Sequence, residues 1–179
     1  MDIEGNVRHL GKVNHTALRD AVLGLKESVW EENEIRQQKF KQHSDTQSII
    51  LLWLVGWEPH KVVRRGGCDY IGNEASELLD EVVENNYPKD GEFLRAVVAK
   101  LKPGGSIKLH NDSHPNFAVG HRIHVPLKTS SDVIFNINGE RVIMEEGMGY
   151  EINNLKPHEV HNLGLEDRIH LIFDYADPK

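Results

Sequence analysis

The side chains best suited to chemistry lie in one stretch, Leu109 to Thr129, and in an echo of it nearer the C-terminus. His110 and Asp112 stand two residues apart, as do Arg122 and His124, and the echo holds His158, His161, Arg168 and His170. In an extended segment residues i and i+2 share a face, their Cα atoms roughly 7 Å apart, so His110 and Asp112 can converge on one ion. A neutral imidazole beside a carboxylate is a metal-ligand pair, and a second histidine from a distant strand completes a facial triad. That triad leaves coordination positions open. It is the arrangement of non-haem Fe(II) oxygenases, which need room for a cosubstrate and dioxygen.

Two histidines compete for the third position, His158 and His161. The run His158-Glu159-Val160-His161 is not the zinc-protease helix motif, which places its histidines four residues apart. Pro157 and Asn162 suit an extended segment better than a helix. Arg168 follows after the turn residues Gly164-Leu165-Glu166-Asp167. On a strand adjacent to the ligand strand, its planar fork could bind a carboxylate bidentately, and the distal carboxylate of 2-oxoglutarate is the natural client. Arg122 and His124 form a second inward pair, with Ile123 and Val125 turned to the core. Taken singly, each residue has a plainer reading: His124 as a satisfied core histidine, Arg122 as a surface cation, Arg168 as a strand residue paired with Glu166 or Asp167. Their gathering in the same half of the chain favours the chemical one.

The elements that must carry these residues change character midway. Leu18, Val22, Leu25 and Val29 fall at helical spacing over 16–29, with Asn14 or Thr16 as a cap. Residues 30–42 are polar and read as a loop or frayed helix that exposes Arg36 and Lys39. Segment 46–54 is rich in β-branched and aromatic residues and reads as a buried strand. Two more amphipathic helices are expected at 74–84 and 92–101. From Ser106 onward short extended segments follow one another at 106–110, 122–127, 133–137, 140–144, 149–153, 159–162 and 168–174. Asn138-Gly139 is a hairpin signal between two of them. This predicts an α+β chain with a double-stranded β-helix (jelly roll, cupin-like) core behind N-terminal helices. It would be a single domain, with a helical or mixed support region over 1–102 and a catalytic β core over 103–179.

Composition narrows the partners. The chain has 179 residues and a formal charge of -7, with Lys and Arg scattered, which argues against a nucleic-acid backbone binder. The longest apolar run, Ile49 to Gly56, falls far short of the roughly 20 residues that cross a bilayer. The single cysteine, Cys68, can form no internal disulfide, and the acidic start does not read as a signal peptide. The expectation is a cytoplasmic protein that binds no nucleic acid and no membrane. The Asn-x-Ser/Thr sequons at Asn14 and Asn111 carry no weight there.

The motif order resembles a known family. His-x-Asp at 110–112, Arg-Ile-His-Val-Pro-Leu-x-Thr at 122–129, His-Glu-Val-x-Asn-x-Gly at 158–164 and Arg-x-His-Leu-Ile-x-Asp at 168–174 are similar to the aspartyl/asparaginyl β-hydroxylase family, which includes bacterial free-proline hydroxylases. The resemblance covers 103–175 and thins before that to the segment starting at His43. It implies a double-stranded β-helix, Fe(II) as metal and 2-oxoglutarate as cosubstrate. It further implies that His110, Asp112 and His158 hold the iron and that Arg168 binds the distal carboxylate. Arg122, His124 and Ser106 would line the cosubstrate pocket. The spacing to Arg168 then favours His158 over His161. Mammalian aspartyl hydroxylases lack an acidic ligand where Asp112 stands, so the chain is more similar to the small-molecule branch.

These expectations make the protein a hydroxylase of an amino acid, related small molecule or peptide side chain, using dioxygen. The alternative is a cupin-like metal-dependent binding or sensor protein, or a non-oxidative metalloenzyme. His114 and His121 are expected in a loop at the site mouth, His170 on the face of Arg168, and Trp30, Trp53 and Trp57 as core or lid aromatics.

Overall fold

The structure, a computed structural model, describes residues 3–32, 45–56, 61–112 and 116–178. The expectations for Arg36, Lys39, His43, Trp57 and His114 lie outside the described residues. In chain order the strands are β1 (Val7–Lys12), β2 (Thr46–Val55), β3 (Lys61–Arg64), β4 (Glu92–Leu101), β5 (Ser106–His110), β6 (His121–Lys128), β7 (Val133–Ile137), β8 (Glu140–Val142), β9 (Met148–Ile152), β10 (His158–Asn162) and β11 (Arg168–Ala176). The helices are α1 (Thr16–Leu23), α2 (Glu27–Glu31), α3 (Cys68–Asn86) and α4 (Asn116–Val119).

Two antiparallel sheets face one another. The major sheet has the order β1-β9-β6-β11-β4-β2-β3 and the minor sheet β5-β10-β7-β8. Leu18 and Val22 of α1, Trp30 of α2 and Ile71, Leu78 and Val82 of α3 cover the outer face of the major sheet, against Val98, Ile123, Val125, Leu171 and Phe173. The inner face meets the minor sheet through a second apolar cluster that includes Leu101, Phe135, Ile137, Tyr150, Ile152 and Val160. No described helix is long and apolar enough to cross a membrane.

Segment 92–101 is a strand, not the helix its spacing suggests. β4 runs through the middle of the major sheet between β11 and β2. It is buried on both faces, so its apolar residues do not alternate cleanly with polar ones. Arg95, Val97, Ala99 and Leu101 point inward; Ala96, Val98 and Lys100 point to the helices. Lys100 is tolerated there because its ammonium pairs with Glu27 at 2.8 Å and lies 4.4 Å from the Trp30 ring centre. β4 also joins β1, β2 and β3 in one sheet with β6, β9 and β11, so the first hundred residues do more than support a separate β core.

Other expectations need smaller adjustment. The helix expected over 16–29 ends at Gly24, and the chain turns before α2. His15 occupies the cap position of α1 with no side-chain hydrogen bond, so neither Asn14 nor Thr16 caps it. At Asn138-Gly139 both residues have positive φ, 53° and 79°, as a tight turn between β7 and β8 requires.

Candidate metal centre and anion pocket

β5 and β10 are neighbours in the minor sheet, and their register sets His110 opposite His158. The ring centres are 4.3 Å apart. A bulge makes this possible: His158 pairs with His110 but Val160 pairs with Ile107, so β5 carries an extra residue. Lys108 and Leu109 both turn outward, and Ile107 and His110 both lie along the cavity. Simple alternation would have put Lys108 on the face of His110.

Both rings are locked by the same device. Nδ1 of His110 lies 2.7 Å from the Lys108 carbonyl, and Nδ1 of His158 lies 2.9 Å from the Lys156 carbonyl. A carbonyl only accepts, so each Nδ1 carries the proton and each Nε2 carries the lone pair. That is the tautomer a metal requires, with the backbone fixing ring orientation. Asp112 follows β5 and is held by its amide, which donates to the Asn154 carbonyl at 3.1 Å. One ligand atom from each of His110, Asp112 and His158 lies within 4.8 Å of the others. The donor set, two imidazoles and a carboxylate, fits a divalent transition metal. His161 is turned to the other face of β10, where it approaches Glu159 at 3.4 Å.

Two arginines steady the carboxylate. Arg122 donates to Asp112 Oδ2 and, through Nε, to Asp174 Oδ1; its Nη2 reaches Asp174 Oδ2 at 3.2 Å. Arg95 pairs with Asp174 Oδ2 at 3.0 Å. The register places Arg122, Asp174 and Arg95 side by side on β6, β11 and β4, a charge ladder on the inner face. Burial alone would push the Asp112 carboxyl up, but Arg122 and Arg95 outweigh it and hold it well below the usual carboxylate range. Asp112 is therefore an anion throughout the neutral range. Burial lowers the proton affinity of His158, which Asp112 only partly offsets, so its imidazole stays neutral.

Arg168 differs from both. It is 1% exposed, and no charged partner among the described residues opposes its desolvation, which pulls the guanidinium down to about 9. Its Nη2 lies 2.8 Å from Nδ1 of His170, and its Nε has no hydrogen-bond partner among the described residues. Arg168 also lines the cavity of His110, Asp112, Arg122, His124 and His158. A buried cation with an unused donor, facing a cavity, has the chemistry to receive an anion. The expectation that Arg168 stands on a strand next to the ligand strand is corrected: β10 lies in the minor sheet and β11 in the major one, so Arg168 reaches the cavity from the opposite wall.

The remaining candidates separate. His124 and His170 are buried beside Arg168, their rings edge to face at 5.8 Å. Burial first, then the nearby Arg168, keeps both well below the ordinary histidine range. Ser106 begins β5 opposite His161, its amide donating to Asp45 at 3.1 Å, and it does not line the cavity. His121 is not an exposed loop residue. It opens β6, is buried, and on the helix side of the sheet joins Glu151 at 2.5 Å and Asp177 at 3.3 Å. Trp30 is core; Trp53 stacks near Arg95, 5.7 Å from guanidinium carbon to ring centre. Arg95 escapes the sequence reading because 92–101 has the spacing of a helix, whereas Asp174 stands on a segment that does read as a strand. The cue was Asp174 at the end of an Arg-x-His-Leu-Ile-x-Asp strand, where alternation sets it on the face of Arg168.

Comparison with known proteins bears on the family and the fold. The family profile described as Aspartyl/Asparaginyl beta-hydroxylase matches residues 12–178. No curated protein is significantly similar to the chain in sequence. Among solved structures, a prolyl hydroxylase from Trichoplax adhaerens, in complex with a hypoxia inducible factor peptide fragment, superposes with a TM-score of 0.63 at 16% identity, over 97% of this chain and 84% of that one. A Pseudomonas putida prolyl-4-hydroxylase gives 0.57 at 13% identity, over 98% and 95%. The viral collagen prolyl hydroxylase of Paramecium Bursaria Chlorella virus-1, solved with 2-oxoglutarate, gives 0.54 at 12%, over 98% of each. At these identities the likeness speaks for the fold alone, and that fold is the jelly roll of the oxygenases.

Proposed function

Because the chain belongs to the aspartyl/asparaginyl β-hydroxylase family and is an Fe(II)- and 2-oxoglutarate-dependent dioxygenase, we propose that His110, Asp112 and His158 hold its iron and that Arg168 receives the distal carboxylate of 2-oxoglutarate. The observation that carries this is the cluster itself: three ligand atoms within 4.8 Å, with both histidines presenting Nε2. The unpaired donors of buried Arg168 support the second half. Bound iron and keto acid would supply the oxidising power, one oxygen atom of dioxygen ending in succinate and the other in the hydroxylated product.

The chain's own residues do the rest. Arg122 fixes Asp112 by taking Oδ2, which leaves Oδ1 on the side of His110, 3.9 Å from its Nε2. His124 and Phe135 wall the cavity between metal cluster and Arg168, and Ile107, Val160 and Ile172 keep water out. Strands from both halves of the chain wall this cavity, so we treat residues 1–179 as one dioxygenase domain.

Charge speaks to the substrate. Among the described residues three arginines, Arg95, Arg122 and Arg168, stand round the cavity with the carboxylates of Asp112 and Asp174. An arginine-rich wall suits a small molecule bearing a carboxylate, such as a free amino acid, with Arg95 beside Trp53 as the group it meets. The test is succinate formation from 2-oxoglutarate with Fe(II) in air, across a panel of amino acids, their decarboxylated amines and short peptides. Carboxylate-bearing members should stimulate turnover, His110→Ala and Asp112→Ala should abolish it, and stimulation by the amines alone would contradict the substrate class.

A further inference from the structure

Arg168 needs something to hold it, and the only acceptor that reaches it among the described residues is His170. A guanidinium can only donate, so Nδ1 of His170 accepts and the ring proton sits on Nε2. This is the opposite tautomer from that of His110 and His158. The ring is 1% exposed, with Ala99 and Pro126 opposite it on β4 and β6 and His124 meeting it edge-on. The chemical point is that this acceptor is uncharged. A carboxylate at position 170 would hold the fork as firmly, yet it would cancel the charge the cosubstrate needs. An imidazole orients the guanidinium and leaves its charge unspent.

We propose that His170 is a positioning residue for cosubstrate binding, a neutral acceptor that fixes the Arg168 fork so that its remaining N–H groups meet the distal carboxylate of 2-oxoglutarate. This rests on the reading of Arg168 given above. It also explains why two histidines, His170 and His124, surround a lone buried cation: each is polar enough to border it and neither neutralises it.

The test is calorimetric binding to the Zn(II)-loaded protein, which does not turn over. Two ligands are compared: 2-oxoglutarate, and 2-oxobutanoate, which has the keto acid but no distal carboxylate. His170→Leu should weaken 2-oxoglutarate by about tenfold or more, the worth of a hydrogen bond to a charged group, and leave 2-oxobutanoate unchanged. His170→Asn, which keeps a neutral acceptor near the place of Nδ1, should retain most of the affinity. His170→Asp, which keeps an acceptor but adds charge, should lose more than His170→Leu. An unchanged preference for 2-oxoglutarate over 2-oxobutanoate in His170→Leu overturns the proposal. Should that variant not fold, the Asn and Asp variants carry the test, and equal 2-oxoglutarate affinities in the two overturn it. If the wild type itself shows no preference for 2-oxoglutarate, the assignment of Arg168 fails instead, which keeps the two outcomes distinct.

Discussion

Replacing Arg168 with methionine should make the ligand-free protein more stable and the cosubstrate ineffective. Burial, with no charged partner among the described residues, moves the guanidinium down from the ordinary arginine range to about 9. At about 1.4 kcal/mol per tenfold change in proton affinity, that is a desolvation cost on the order of 5 kcal/mol. Methionine removes the cost but leaves Nδ1 of His170 without its donor, a loss of roughly 1–3 kcal/mol. The net gain is about 2–4 kcal/mol, which in a chain of this size raises the midpoint of thermal unfolding by about 4–16 °C. The sign with pH follows. The unfolded chain holds the proton more tightly than the native one, so the wild-type penalty is fully present below about 9 and fades as pH rises above that towards the ordinary arginine range. The gap between variant and wild type should thus be widest at neutral pH. The assay is differential scanning fluorimetry of Zn(II)-loaded protein with and without 2-oxoglutarate. At a hundredfold excess over Kd the wild type should gain about 2.7 kcal/mol, and Arg168→Met should gain nothing at that concentration. A variant less stable than the wild type that responds equally to 2-oxoglutarate would show that Arg168 is a structural cation and refute the reasoning.

Further outcomes follow from other parts of the structure. Burial lowers the proton affinity of His121, but the hydrogen bond and charge of Glu151, with Asp177, more than reverse this, so its folded value is raised. The stabilisation by charged His121 is full below the unfolded value of 6.5 and is lost as pH rises through the folded one. The difference in midpoint between wild type and His121→Asn should therefore shrink from pH 6 to pH 9, and a constant difference would contradict the ion-pair account. Gly91→Ala should destabilise by about 2–3 kcal/mol in chemical denaturation, because its Cβ would sit 2.2 Å from the Ala176 carbonyl oxygen and 2.6 Å from the Tyr175 ring. A loss below about 0.5 kcal/mol would mean the β11 end yields easily. Arg95→Met should raise the concentration of amino-acid substrate needed for half-maximal succinate formation while leaving the 2-oxoglutarate requirement alone, and equal effects on both would remove Arg95 from the substrate side.

The second half of the chain was readable because its strands are bounded by turn residues and half of their positions face an apolar layer. His110, Asp112, Arg122, His124, His158 and Arg168 could be named from spacing and motif order for that reason, and the structure gathers them round one cavity. What the sequence hid has physical causes. β4 is buried on both faces, so its pattern fits a helix as well as a strand, and Arg95 was lost with it. The bulge at Lys108 and Leu109 breaks the alternation that locates inward residues. Neighbours in sequence, β10 and β11 lie in opposite sheets, a fact no local pattern records. His121 looked like a loop residue beside Gly120, and its partner Glu151, which Arg8 and Tyr87 also meet, comes from a distant strand.

The central claim is that His110, Asp112 and His158 bind one iron with a keto acid beside it. Fe(II) and 2-oxoglutarate added anaerobically should give a weak visible absorption band near ~500 nm, the signature of a keto acid chelated to ferrous iron. The wild type and His161→Ala should both show the band, and His158→Ala should not. A band that survives in His158→Ala and vanishes in His161→Ala, or its absence from the metal-loaded wild type, would contradict the account.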